Sequence, residues 1–124
     1  MNVLKSQTLE KSRFEVIVID NGSTDNINKI REKYPDVIFL NEAREGSYAA
    51  RNKGILNSKG HVLAFTDSDC IPAEDWLETG LLSLENKLDA GFVAGKVNLF
   101  IKDKNDMTCA EIWEMLNMYD QEFY

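Results

Sequence analysis

Two aspartates separated by one serine, Asp67-Ser68-Asp69, come just after the apolar run 62–65. Side chains at positions i and i+2 of an extended strand point to the same side of a sheet, so the two carboxylates are expected to lie close together. Unpaired, they repel each other and resist ionising together. A hard divalent cation removes that conflict, because Mg²⁺ or Mn²⁺ takes oxygen ligands and keeps open positions for phosphate oxygens. The triplet therefore predicts a metal site at a strand end, although Asp-x-Asp by itself is common in a chain with 21 acidic residues.

A second polar cluster begins at Asp20, directly after the β-branched run 15–19. A carboxylate at the end of a strand is a good acceptor for a ribose hydroxyl or a nucleobase N–H. An ordinary turn with Ser23 or Thr24 as the helix cap explains the same composition. A receiver-type phosphoacceptor is another alternative, but the acidic pair that such domains carry near the N-terminus is missing. An EF-hand loop is excluded by the spacing of oxygen ligands around Gly22.

A third cluster, residues 46–54, opens a helix with small residues. Gly46 and the free N–H groups after it could accommodate an anionic group. Arg51 adds a planar, bidentate donor set. A surface helix whose Arg51 pairs with one of many acids accounts for this segment equally well.

The segments between these clusters alternate between strand and helix patterns. Strands are predicted at 15–19, 37–40, 61–66 and 91–99, with helical patterns around 27–34, 47–57, 77–88 and 112–123. Within the helices, inward-facing positions are expected at Tyr48, Ile55 and Leu56 and along the stripe Leu77, Leu81, Leu84 and Leu88. Such alternation predicts an α/β fold, a three-layer αβα sandwich around a mainly parallel, Rossmann-like sheet.

The overall composition is that of an ordinary globular protein, with 124 residues of which 44% are hydrophobic and 28% charged. A net charge of -7 argues against nucleic acid as the partner, because nucleic-acid-binding proteins present a basic face. Cys70 and Cys109 show no metal-ligand spacing and are expected to be free thiols. Neither a signal peptide nor an apolar stretch near the ~20 residues that span a membrane is visible. We expect a cytoplasmic protein, with peripheral association at the cytoplasmic face of the membrane left open.

Together, the three clusters resemble the family 2 glycosyltransferases, which have the GT-A nucleotide-diphospho-sugar transferase fold. The matching stretches are 16–25, then 46–54, then 64–72 together with 75–77. They occur in the family's order and at its spacing, and they lie between roughly residues 14 and 98. One such motif is a weak signal, whereas three in register are a strong one.

The resemblance implies a glycosyltransferase of hexosyltransferase type that moves a sugar from a UDP- or GDP-linked donor to a glycan or lipid-linked acceptor, as in polysaccharide biosynthesis. The implied donor-binding residues are Asp20, Asn21, Ser23, Gly46, Arg51, Asp67 and Ser68. Asp69, together with Asp67, would ligate Mn²⁺ or Mg²⁺ at the diphosphate. Inverting members also need a carboxylate that takes the proton of the acceptor hydroxyl.

The chain departs from the family pattern at both ends. Residues 1–12 look like only the tail of the first helix, without the apolar strand that precedes it in the family. The acceptor-binding half and the catalytic base would follow Tyr124. We therefore expect residues 1–124 to be a single partial domain, the nucleotide-sugar-binding half, which is inactive in isolation. Loss of the first strand would expose two apolar strand edges and favour self-association through them.

Two other functions fit parts of the pattern. A nucleotidyltransferase also pairs acids with a metal on an α/β sheet, but the Gly-rich, Lys/Arg-bearing phosphate loop expected near its start is not visible. A non-catalytic nucleotide- or partner-binding α/β module is the alternative from a different class.

Overall fold

A parallel pair of strands, β1 (Ile17–Asp20) and β2 (Ile38–Asn41), forms the sheet. The register pairs Ile17 with Ile38 and Asp20 with Asn41. Both strands begin in β-branched residues, which suit a pleated surface that is covered by helices. The predicted parallel arrangement is confirmed, and the polar residues that end the two strands lie at the same end of the sheet.

The computed structural model describes residues 2–24, 27–87, 89–98, 108 and 109. The chain divides into two compact units, residues 1–91 and residues 92–124. In the first unit, the helices are α1 (Asn2–Lys5), α2 (Ile27–Lys33), α3 (Ser47–Asn57) and α4 (Trp76–Glu85), with a 3₁₀ turn at Lys11–Arg13. In the second unit, residues 92–98 are exposed and have no regular secondary structure. No helix in the described ranges is long and apolar enough to cross a membrane.

Helices α2 and α3 cover opposite faces of the sheet. A methyl group added at Gly54 of α3 would meet the Ile19 side chain at 3.8 Å. Arg31 of α2 lies over the ring of Phe39, 5.7 Å from its centroid. Phe39 pairs with Val18, the neighbour of Ile19, and successive side chains of a strand point to opposite faces. This arrangement confirms the predicted α/β layering, with a helix on each side of a parallel sheet.

Two of the predicted strands are not formed. Residues 61–66 run without strand hydrogen bonds to any described segment, and Val62, Leu63 and Phe65 are 42–51% exposed. Residues 91–98 are likewise irregular, and Leu99 lies outside the described residues. The reason is that an apolar run becomes a strand only where a neighbouring strand accepts its backbone hydrogen bonds. Among the described residues, β1 pairs with β2 alone.

The helices predicted at 27–34, 47–57 and 77–88 were right in position and wrong in part about their buried faces. The helix predicted at 112–123 lies outside the described residues. The α3 bounds agree with the predicted 47–57. Tyr48 and Leu56 are nevertheless 70% and 80% exposed, so their predicted inward orientation was wrong, as it was for Ile55 at 41%. The buried face of α3 is instead set by Ala49, which is 1% exposed. On α4, the stripe Leu77, Leu81 and Leu84 is half-buried, and Leu88 lies outside the described residues.

The first unit has a small core. Among its described residues, the buried apolar ones are Leu9, Tyr34 and Ala49. The ring of Tyr34 is flanked by the ammonium groups of Lys5 and Lys33, 4.7 and 5.5 Å from its centroid. Both amines favour the face of an aromatic ring, so they cover Tyr34 while their charges stay near water.

Candidate functional site

The turn after β1 is organised by the carboxylate of Asp20. Its Oδ1 accepts a hydrogen bond of 2.9 Å from the backbone N–H of Ser23. This bond lowers the pKa of Asp20 most, with smaller contributions from the Ser23 hydroxyl and from the charge of Arg31. Gly22 lies between them with a φ of 83°, a conformation that favours glycine. Asp20 is therefore an ionised acceptor at the carboxyl end of β1.

The loop after β2 contains an ion pair that the sequence analysis missed. Glu42 is 8% exposed. Its Oε1 accepts hydrogen bonds of 3.0 Å from both the backbone N–H and Nε of Arg44, and its Oε2 accepts one of 3.2 Å from Nη2. The hydrogen bonds from the Arg44 side chain, then that from its backbone, lower the pKa of Glu42 to about 2. The signal in the sequence was an acid and an arginine two residues apart directly after a strand.

Replacing Glu42 with glutamine is expected to make the free energy of unfolding less dependent on pH. The pKa of Glu42 is lower in the folded state than its ordinary value of 4.5, so the ionised form stabilises the fold at any pH above 4.5. This contribution is lost as the pH falls from 4.5 to about 2. Glu42→Gln should therefore be less stable than wild type at neutral pH, with the difference shrinking across that window. Urea unfolding along a pH series measures this, and Glu45→Gln in the same loop is the matched control. A difference that stays constant with pH would contradict the assignment.

Asn21 joins the turn after β1 to the loop after β2. Its Nδ2 donates to the carbonyls of Glu42 and Arg44 at 2.8 and 2.7 Å. Its Oδ1 accepts from the backbone N–H of Gly46 at 3.0 Å. The carboxamide therefore contacts three backbone groups of a loop more than twenty residues away in sequence.

Helix α3 presents Arg51 to the first aspartate of the triplet. Arg51 Nη1 donates to Ser47 Oγ at 3.3 Å, one turn earlier on the helix. Its Nη2 lies 3.0 Å from Asp67 Oδ1. The helix that begins after Gly46 and the acidic triplet, two clusters singled out separately in the sequence, thus meet in space. Arg51 does pair with an acid, and that acid belongs to the predicted site.

The acidic triplet lies in an exposed loop instead of at the end of a strand. All residues from 61 to 70 are exposed, and the N–H of Cys70 donates to the carbonyl of Asp67 at 3.2 Å to form a turn. Cys70 and Cys109 are free, as predicted, and both are exposed. Within the described ranges, no three His, Cys, Asp or Glu side chains gather as a complete metal cage. The donors still fit a hard cation, because Mg²⁺ is usually held by one or two carboxylates while substrate phosphates and water complete its shell.

The start of α4, which follows this loop, is clamped by a residue that no pattern in the sequence indicated. Gln7 is 8% exposed. It donates to the carbonyl of Ala73 at 2.7 Å and accepts from the N–H of Leu77 at 3.0 Å. The N–H of Thr8 donates to the carbonyl of Glu74 at 2.8 Å. The N-terminal segment therefore fixes the far end of the loop that carries the triplet.

The predicted site residues thus form three direct contacts. Asp20 binds Ser23, Asn21 binds Gly46, and Arg51 binds Asp67. Ser68 and Asp69 follow Asp67 on the exposed loop. Ligand binding by these residues stays a prediction.

Comparison with known proteins identifies the family of the chain. The model of the family described as glycosyl transferase family 2 matches residues 2–123. The chain is 43% identical over 89 residues to the glycosyltransferase AglE of Haloferax volcanii, an alignment covering 68% of this chain and 29% of the relative. It is 29% identical over 96 residues to the glucosyl-dolichyl phosphate glucuronosyltransferase of the same organism, covering 74% of this chain and 30% of the relative.

An Escherichia coli relative, the uncharacterized glycosyltransferase YibD, is 40% identical over 80 residues, covering 60% of this chain and 23% of the relative. The chain thus spans less than a third of the length of these relatives. No solved structure matches it. Because the family match extends over nearly all its residues, the chain belongs to glycosyl transferase family 2 and has an α/β fold of the GT-A type.

Proposed function

We propose that this chain is the donor-binding part of an inverting glycosyltransferase that uses Mn²⁺ or Mg²⁺ and a nucleotide-diphosphate sugar. Family membership supports sugar transfer. The observation that carries the finer proposal is the contact between Arg51 and Asp67 at 3.0 Å. This contact places a guanidinium group that can bind phosphate next to a carboxylate that can bind a metal ion.

Each residue has a role that its surroundings support. Asp20, kept ionised by Ser23, accepts hydrogen bonds from the ribose or base of the nucleotide. Gly46 provides the turn, with a φ of 111°, from which α3 starts, and Ser68 offers a hydroxyl beside the acids. When bound, the metal would stabilise the negative charge that develops on the departing diphosphate.

Arg51 and Asp67 must exchange partners when the donor binds. Their side chains are 45% and 67% exposed. An exposed ion pair stabilises a fold by only about 0.2–1 kcal/mol, so separating it costs little. Arg51 is then available to the diphosphate as a bidentate donor, and Asp67 is available, beside Asp69, for the cation. The pair holds both groups at the site until the donor arrives.

The class of acceptor is a separate part of the proposal. One relative is named for glucuronosyl transfer involving glucosyl-dolichyl phosphate, which supports a lipid-linked glycan acceptor and a hexosyl-type donor here. A cytoplasmic location, peripheral association with the membrane and self-association through strand edges stay predictions. The same holds for the expectation that the isolated chain transfers little or no sugar.

Calorimetric titration of UDP and then GDP, with and without Mn²⁺, tests the proposal. We expect one nucleotide to bind at least tenfold more tightly when the metal is present, because the cation bridges phosphate oxygens and carboxylates. Addition of EDTA should reverse the gain. A nucleotide affinity that is the same with and without Mn²⁺ would favour the non-catalytic nucleotide-binding module. Absence of nucleotide binding to the folded protein would overturn the proposal.

A further inference from the structure

We propose that Asn21 is a positioning residue, whose carboxamide sets the place of Arg51 in the donor site by holding the loop Glu42–Gly46 from which α3 starts. This inference rests on the proposed function for its consequence on nucleotide binding. Its structural part stands on three hydrogen bonds.

The Asn21 carboxamide is already occupied. Both donors of a primary amide and its oxygen are engaged, with distances of 2.7, 2.8 and 3.0 Å. A nucleotide would have to displace backbone groups to bind this side chain directly. The polar groups that Asn21 satisfies would then lose their partners, which is costly where they are partly buried.

The hydrogen bonds of Asn21 lie just beyond the end of the pairing between β1 and β2. The ladder between β1 and β2 ends at Asp20 and Asn41, with one more bond of 2.9 Å from the N–H of Glu42 to the carbonyl of Asp20. Beyond that point the segments that follow β1 and β2 are no longer paired through their backbones, and the Asn21 side chain joins them instead. It therefore extends the connection between the two strand ends into the loops that carry the site.

The loop is connected to helix α3 through Gly46. Gly46, whose N–H donates to Asn21, offers its own carbonyl to the N–H groups of Ala49 and Ala50 in the first turn of α3. Arg51 follows directly on that turn. A shift of Gly46 is therefore a shift of the start of α3, and Arg51 moves with it relative to Asp67.

The loop itself is stiff enough to transmit this constraint. The carboxylate of Glu42 accepts three hydrogen bonds from Arg44 between the two carbonyls that Asn21 binds. Gly46 has a φ of 111°, a conformation that other residues rarely adopt, and its N–H is held there by Asn21. Asn21 thus holds a rigid connector and not a freely moving loop.

A double-mutant cycle on the 124-residue chain tests the proposal. Asn21→Ala should weaken Mn²⁺-dependent nucleotide binding by roughly 3- to 10-fold, a typical size for a residue that acts through a network. In an Arg51→Ala background, the same change should have little further effect, because Arg51 is the group that Asn21 places. Asn57→Ala is the matched control, since Asn57 is exposed on the same helix and donates only within it, to the carbonyl of Lys53. Additive losses of affinity, or an unchanged affinity in Asn21→Ala, would overturn the proposal.

NMR on the nucleotide-free protein separates this proposal from the proposed function. In Asn21→Ala, the Gly46 amide should exchange faster and the Arg51 side-chain signal should move, whereas the amides of Ile38 and Glu42 in the ladder should stay protected. Asn21→Asp should behave like Asn21→Ala, because a carboxylate oxygen in place of Nδ2 would face and repel the carbonyl oxygens of Glu42 and Arg44. If wild type binds no nucleotide, the proposed function fails and these signals alone decide. An unmoved Arg51 signal, or loosening spread over the whole sheet, would refute the positioning role.

Discussion

Replacing Asp69 with alanine should remove most of the gain in nucleotide affinity that Mn²⁺ provides. Loss of a group that only orients a metal ligand typically lowers the metal affinity by about 10–100-fold. Loss of the ligand itself should therefore lower the affinity for Mn²⁺ roughly 100-fold. Without metal, Asp69→Ala should bind the nucleotide at least as tightly as wild type does, because the mutation removes a negative charge that repels the diphosphate. The measurement is a set of titrations of the nucleotide into wild type and Asp69→Ala, each with and without Mn²⁺.

The control for this experiment is Asp36→Ala. Asp36 is an exposed acid in the turn before β2, at the opposite end of the parallel sheet from Asp20 and Asn41. Its removal changes the net charge by the same amount but should leave the metal-dependent affinity unchanged. Equal losses in the two variants would show a general charge effect and contradict a ligand role for Asp69. Matching thermal melts would establish that each variant is folded.

Replacing Gly46 with alanine should destabilise the fold by about 1–3 kcal/mol, the usual cost of a residue held in a sparsely populated backbone region. Gly46 has a φ of 111°, and an added methyl group would lie 2.6 Å from Cε1 of Tyr48. The ring of Tyr48 is 70% exposed and can swing away, so the clash contributes less than the backbone conformation. Urea unfolding of the two proteins gives the difference in free energy.

Two further variants check the cause. Gly80 lies inside α4 with no heavy atom within 4 Å of an added methyl group, so Gly80→Ala should stabilise the fold by roughly 0.5–1 kcal/mol. Adding Tyr48→Ala to Gly46→Ala should restore little, since it relieves the contact and not the φ angle. Full restoration by Tyr48→Ala would contradict the backbone explanation. A loss of nucleotide affinity in Gly46→Ala is also expected, because this residue starts the helix that carries Arg51.

Where the pattern depends on neighbours in sequence, the predictions agree with the structure. The runs at 15–19 and 37–40 supply most of the two strands, Ile17–Asp20 and Ile38–Asn41, and the bounds of α3 match the predicted helix. The polar residues that follow these segments, including Asp20 and Arg51, were recognised as candidates from their types and positions. The position of a helix and the composition of a turn depend on a few residues, so they can be read directly from the chain. The face that a helix buries depends on its neighbours, and for α3 it was predicted wrongly.

The tertiary structure decided which distant groups meet. Residues 61–66 read as a strand, but no described segment supplies the hydrogen bonds that a strand requires. The role of Asn21 depends on carbonyls 21 and 23 residues away, and that of Gln7 on groups 66 and 70 residues away. Local propensity carries no information about such partners, because a side-chain amide can bind any backbone group that the fold brings near. The sequence by itself therefore determined the elements, the family resemblance and the candidate acids. Only the folded chain could show that Arg51 faces Asp67 and that Asn21 connects the two loops beside them.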